Sequence, residues 1–355
     1  MNILYLVNFN LSEKKGLGLI TKNKIKSLRN IGNNVTAISS PFKNSYIQIL
    51  YGLFSDIKAS YHLVKHKPEF MISRGPIGIF SILISKKLGI TTVREVHAYA
   101  IEEVNLLPYK GLNLFALKLL AHFSHLLDLN VDLRIFNHPD LLDFYKSKGL
   151  SKDSDFYVYN GYSVDNKSSL TKEASKKKYK LTDDVKYLIF VGSATKWHGV
   201  DYLVQLQDEF NVNGDSIQIV CGGASISQFD KNQICINITP LDAKGCSELI
   251  RAADLCLLPV RNNRVSPGSP LKLYDYIVNE RPVVAQKDMK GYCDEVIKHE
   301  IGFCVEFSEP KATRQAILDY FKSNNSDIFP EVNASWDDRM LEWFKGMKKV
   351  RNIKY

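Results

Sequence analysis

Lys272 and Asp275 stand three residues apart in the stretch Val265–Gln286, VSPGSPLKLYDYIVNERPVVAQ. From Leu271 to Val278 apolar residues recur at helical spacing, so the two charged side chains share one face of a helix, a turn apart. A loop of small and helix-breaking residues, Ser266, Pro267, Gly268, Ser269 and Pro270, feeds that helix. The first N–H groups of a helix have no intrahelical partner, and its dipole is positive there. Gly268, Ser269, Leu271 and Lys272 therefore form a start that suits a phosphate. Asp275, one turn on, can accept hydrogen bonds from two neighbouring ribose hydroxyls. Phosphate and ribose together describe a nucleotide. An ordinary loop and helix of an α/β domain would look much the same, so the reading depends on what surrounds it.

The surrounding elements are strands that end in small residues. Asn2–Val7 reads as a first strand, followed by a loop from Asn8 to Gly18 that holds Gly16 and Gly18, a helix from about Ile20 to Asn30 and a strand near Val35. This is a β-loop-α-β unit of the sort that binds phosphates at its first turn. The pattern returns at Tyr187–Gly192, where Ser193, Lys196, His198 and Gly199 lead into a helix from about Val200 to Glu209. Ile217–Ala224 is a buried strand whose Gly222 and Gly223 allow close approach of a nucleotide. Phe70–Arg74 and Thr91–His97 read as parallel strands around a helix, Gly78–Leu88. They bring Arg74 and His97 to carboxyl ends, where open α/β sheets gather functional side chains. A lone histidine at such a place is more often structural.

Taken in order, these motifs resemble those of family 4 glycosyltransferases, retaining enzymes of the GT-B fold. The resemblance spans nearly the whole chain and is densest from Tyr187 to Phe307. It implies an α/β architecture of two Rossmann-like domains facing across a cleft that closes on a nucleotide sugar, UDP- or GDP-linked. His97 in its Glu95-Val96-His97 context takes the position of the family's histidine near the donor sugar and its leaving phosphate. The donor site would comprise Gly16, Gly18, Gly192, Ser193, Lys196, His198, Gly223, Gly268, Ser269, Leu271, Lys272 and Asp275. Departures are clear: Pro267 stands where the family's first glutamate holds donor hydroxyls, Ser193 at its arginine and His198 at its lysine. Lys196 and Lys272 are then the expected cations. Arg74 and Glu102 are expected on the acceptor side. In this family the departing phosphate is thought to help deprotonate the acceptor, so neither a protein nucleophile nor a metal is needed, and no metal-ligand spacing appears in the sequence.

A chain of 355 residues suits two α/β domains. The expected division is 1–165, with a C-terminal helix of about 338–355 packing back on it, and 166–337 for the donor. Lys167–Asp184 reads as a linker. That last helix would bury Leu341, Phe344 and Met347. Most of the net charge of +9 falls in the first half. No nucleic-acid motif accompanies it, which leaves a phosphorylated substrate or an anionic membrane surface. Lys22, Lys26 and Arg29 form a basic stripe, and Leu112–Asn130 an apolar helix whose default is core packing; together they allow association with a bilayer. The six cysteines lie after residue 220 without a CxxC or zinc pattern. They are read as reduced thiols of a cytoplasmic protein, peripheral on the inner membrane in the bilayer-associated case. The acceptor implied is a glycan, lipid-diphosphate-linked where a membrane is involved. Rival readings are a GT-B nucleotide-sugar epimerase, needing an acid/base carboxylate such as Glu95 or Glu102, and a catalytically silent nucleotide-sugar-binding subunit.

Overall fold

The computed structural model describes the chain except residues 13–15, 41–44, 106–109, 195, 262–268, 324–328 and 355. The described residues divide into two compact units, 1–159 with 336–355, and 160–335. The first runs β1 (Asn2–Val7), α1 (Gly16–Asn30), β2 (Asn34–Ile38), α2 (Ser45–His66), β3 (Phe70–Arg74), α3 (Ile79–Lys87), β4 (Thr91–Val96), α4 (Ala100–Asn105), α5 (Gly111–Leu129), β5 (Leu133–Phe136), α6 (Pro139–Ser147) and β6 (Phe156–Tyr157). The second runs α7 (Lys172–Lys178), β7 (Lys186–Gly192), α8 (Val200–Val212), β8 (Ile217–Gly223), β9 (Ile236–Ile238), α9 (Ala243–Arg251), β10 (Leu255–Leu258), α10 (Leu271–Val278), β11 (Val283–Gln286), α11 (Cys293–Lys298), β12 (Gly302–Val305) and α12 (Pro310–Lys322). Helix α13 (Trp336–Lys354) belongs to the first unit.

Each unit is built on a six-stranded parallel sheet. The strand orders are β2-β1-β3-β4-β5-β6 and β12-β11-β10-β7-β8-β9. Helices cover both faces of such a sheet, so its strands are near-continuous apolar runs. Alternation along β1 sorts its side chains. Ile3, Tyr5 and Val7 pack with Ile25 and Leu28 of α1 and with α13, while Leu4 and Leu6 pack with Ala59 of α2, Ile82 of α3 and Leu127 of α5.

Several expectations need correction. The 22-residue α2 was not anticipated. Lys167–Asp184 is not a linker, because α7 lies within it. Thr171 caps α7 by accepting from Ala174 N at 3.2 Å, Lys172 pairs with Asp254 at 2.7 Å and Lys178 pairs with Glu248. Its charges thus have partners in the second unit. The first boundary falls before Asn160 and not after 165. Asn160 Nδ2 donates to Ser269 O at 2.8 Å and Tyr162 N to Ala334 O at 3.0 Å, which binds this segment into the second unit. On α13 the buried face is Trp336, Met340, Trp343 and Met347, and Leu341 is exposed. The tryptophans bring more apolar surface than the leucine, so they take the core side. Cys293 and Cys304 are not free thiols but form a disulfide, with α carbons 5.9 Å apart, since α11 runs directly into β12. Cys221, Cys235 and Cys256 are buried free thiols.

Candidate functional site

In an open parallel sheet, ligands bind beyond the carboxyl ends of the strands where the strand order reverses. In the second unit that point lies between β7 and β10, because β8 continues to one side of β7 and β10 pairs on the other. Gly192 ends β7 there, and α10 follows β10. Gly192 has φ 123°, and a Cβ on it would sit 2.5 Å from Lys272 Cε. The absent side chain is therefore what lets Lys272 lie across the strand end, where its ammonium stands 4.8 Å from the Phe190 ring centroid. Burial pushes the Lys272 pKa down to about 7, against a raising influence of Asp275. Burial likewise raises Asp275 to about 6, while a hydrogen bond from Asn166 Nδ2 at 3.0 Å and the charge of Lys272 act the other way. Lysine and carboxylate lie as the helix spacing required.

Several of the remaining candidates of this unit lie at the same carboxyl ends of the strands. Gly223 pairs with Gly192 in register, and Ala224 N donates to Gly192 O at 3.2 Å. Ser193 and His198 share the loop after β7, with Ser193 Oγ 3.4 Å from His198 Nδ1. Lys196 opens the short 3-10 turn Lys196–His198 that leads into α8, but its side chain lies outside the described residues, as does Gly268. Leu271 is the first residue of α10 and is 37% exposed. Ser269 departs from the expectation. It is buried, and its hydroxyl is engaged by Asn160 N at 3.1 Å and lies 3.2 Å from the Tyr274 hydroxyl, so it anchors the loop internally.

The reversal in the first unit lies between β1 and β3. A cavity of about 460 Å³ opens there and at the end of β4, lined among others by Asn8, Phe9, Arg74, Glu95 and His97. Gly75, with φ 83°, closes against Asn8, whose Oδ1 would lie 2.3 Å from an added Cβ. Beneath the cavity is a buried charge cluster. Glu95 accepts hydrogen bonds from Tyr5, Lys24 and His97, and Arg74 Nη1 approaches it at 3.4 Å while donating to Thr21 Oγ1 at 3.0 Å. Burial alone would raise the Glu95 pKa, yet Lys24, Arg74 and His97 hold it well below the usual carboxylate range. His97 is pushed down to about 3, chiefly by burial and then by Arg74. Its imidazole is therefore neutral. Because Nε2 faces an ionised carboxylate it carries the proton, which leaves Nδ1 as an acceptor.

Arg74 thus lies beside His97 but is committed to Glu95 and Thr21. Glu102 sits on α4, half-buried, and is not among the residues lining the cavity. Gly16 and Gly18 fall in the first turn of α1 and not in the preceding loop, since that helix begins four residues earlier than expected. Tyr5 and Lys24 were missed. The cue for Lys24 was its place with Thr21, Ile25 and Leu28 on the inward face of α1, where a lysine needs a carboxylate.

Residues 171–333, most of the second unit, match the family model described as glycosyl transferases group 1. No curated protein has a sequence significantly similar to this chain. Among solved structures, a glycosyltransferase from Rickettsia africae is similar with a TM-score of 0.68 at 15% identity, covering 98% of each chain. Sucrose-phosphate synthase from Thermosynechococcus elongatus gives 0.67 at 12% identity, over 99% of this chain and 98% of the other. HepE of Anabaena, solved in complex with UDP, gives 0.65 at 12% identity with the same coverage. At these identities the likeness speaks for the fold. The chain has the α/β GT-B fold of these glycosyltransferases, and its second unit carries the group 1 match.

Proposed function

We propose that the protein is a retaining glycosyltransferase that moves a sugar from a UDP- or GDP-sugar to a hydroxyl of a glycan acceptor, lipid-linked, in bacterial surface polysaccharide assembly. The observation that carries this reading is the seating of Lys272 over Gly192 at the start of α10, inside the segment that matches the group 1 model. A diphosphate there meets helix-start N–H groups and a lysine whose charge the site otherwise holds at a cost. Asp275 then takes the ribose. Transfer needs charge developing on the leaving diphosphate to be stabilised, and groups fixed in advance do this well. His97, neutral and oriented by Glu95, offers an acceptor to a substrate hydroxyl and needs no proton of its own. The UDP in the HepE structure supports a nucleotide-linked donor.

An epimerase reading needs a carboxylate able to exchange protons. Glu95 is poorly suited, being buried, ionised and shared among Lys24, Arg74 and His97. The test is a panel of UDP-, GDP- and dTDP-sugars assayed for release of the nucleoside diphosphate, with wild type and Lys272→Ala compared. Release by wild type and loss in the variant support transfer. Epimer formation without nucleotide release supports the rival, and affinity without turnover supports a silent binder.

A further inference from the structure

We propose that the outer face of α2, α3 and α5 is the surface on which the protein rests against an anionic lipid bilayer. The three helices connect β2 to β3, β3 to β4 and β4 to β5, and all cover the sheet face that carries Leu4 and Leu6. Inward residues such as Ala59, Leu63, Ile82 and Leu127 satisfy the core. The outward residues are also apolar. On α2, Phe54 and Tyr61 are 67% and 66% exposed, and Leu53, Ile57 and Val64 accompany them. Phe80 and Leu83 continue the face on α3, and Phe115, Leu119 and Leu126 on α5. Half of the large apolar side chains exposed among the described residues lie on these three helices. A concentration of this kind marks an interaction surface, whereas scattered exposed apolar residues do not.

Charge identifies the occupant. The exposed ionised side chains on the three helices are Lys58, Lys65, Lys86, Lys87 and Lys118, all cationic. Their two carboxylates are turned inward. Asp56 accepts from Phe80 N at 2.9 Å and Ser81 N at 3.0 Å, capping α3, and Asp128 accepts from Arg94 Nε at 2.7 Å. Along α2 the apolar positions 53, 54, 57, 61 and 64 fill one arc, and Lys58 and Lys65 border it. This is the pattern of a helix lying at a lipid headgroup boundary, where lysine stems run along apolar surface and place their ammonium groups among phosphates. A second copy of the chain fits poorly, because a two-fold contact would set lysines against lysines with no carboxylate between them. The basic stripe of α1 is a weaker candidate. It lies over the opposite sheet face, and its Arg29 donates to Val35 O at 2.7 Å.

This surface is independent of the chemistry proposed for the nucleotide site, and it is tested without it. The full chain is sedimented with vesicles of equal parts phosphatidylglycerol and phosphatidylcholine, and with phosphatidylcholine alone, at low salt. Wild type should bind the anionic vesicles and remain free of the neutral ones. The Phe54→Ser/Ile57→Ser variant should bind about tenfold or more weakly. A second variant, Lys58→Glu/Lys65→Glu, should lose the anionic preference, with thermal midpoints showing both variants folded. The proposal is overturned if wild type ignores both vesicles, binds both equally, or is unaffected by either variant. It is also overturned if sedimentation equilibrium reveals a dimer that the serine variant dissolves.

Discussion

The two strand-order reversals of this molecule handle charge in opposite ways. In the first unit, Glu95 is surrounded by Lys24, Arg74 and His97, so its charge meets partners built into the protein. In the second, burial pushes the Lys272 pKa down to about 7, opposed by Asp275, which is itself driven towards its neutral form. A buried charge is tolerated when its partners are built in, and otherwise it favours whatever anion can supply the missing field. The first arrangement holds one side chain still. The second leaves a buried lysine and a buried aspartate at the start of a helix, each held away from its ordinary protonation by burial.

Breaking the first cluster should give the largest effect. Glu95→Gln leaves Lys24 and Arg74 buried without their carboxylate, and should lower folding stability by about 3–5 kcal/mol in chemical denaturation. A double variant with Lys24→Met should cost less than the sum of the single changes, since the orphaned cation is then removed. Full additivity would mean that the cluster does not act as a unit.

Lys272→Met should behave in the opposite sense. Donor turnover should fall by about a hundredfold or more, the scale of losing one preorganised group at developing charge. The fold, however, should be at least as stable as wild type near neutral pH. The sign follows from linkage: the folded pKa of Lys272 lies below its unfolded value of 10.5, so the unfolded chain binds more protons between pH 7 and 10.5. The native state thus holds the charge unfavourably below pH 7 and regains stability as pH rises through that window. A thermal midpoint well below wild type would show that Lys272 is a structural residue.

Gly192→Ala should give an intermediate loss, because any side chain displaces Lys272 and strains a backbone at φ 123°. Roughly 1–3 kcal/mol is expected in nucleotide affinity by calorimetry. The smallest effect is in pH dependence. In the proposed site a nucleotide takes ionised Lys272 and ionised Asp275, so affinity should weaken below pH 6 as Asp275 gains a proton and again at alkaline pH as Lys272 loses one. A flat profile from pH 5 to 9 would remove both residues from the contact.

The second unit was readable because its signals are local. A strand ending in glycine, a helix opening after a breaker loop, and lysine and aspartate one turn apart all sit in short stretches whose geometry depends little on the rest of the chain. What was missed depends on tertiary neighbours. Lys24 stands between Lys22 and Lys26 of the expected stripe, and only the approach of Glu95 from β4 explains its burial. Helix α2 escaped because its outward face is as apolar as its inward one, which erases the period that marks an amphipathic helix. The same property makes it the centre of the proposed bilayer surface. The Cys293–Cys304 pair is set by a helix folding onto the strand after it, and no spacing rule announces that.

In the proposed site a nucleoside diphosphate is held where β7 meets the start of α10. Titration of wild type and Lys272→Met with UDP and with GDP by calorimetry at pH 6.5 tests it directly. Wild type should bind one of the two, and the variant should bind it at least about tenfold more weakly. Equal affinity in the two proteins, or no binding of either nucleotide by wild type, would contradict it.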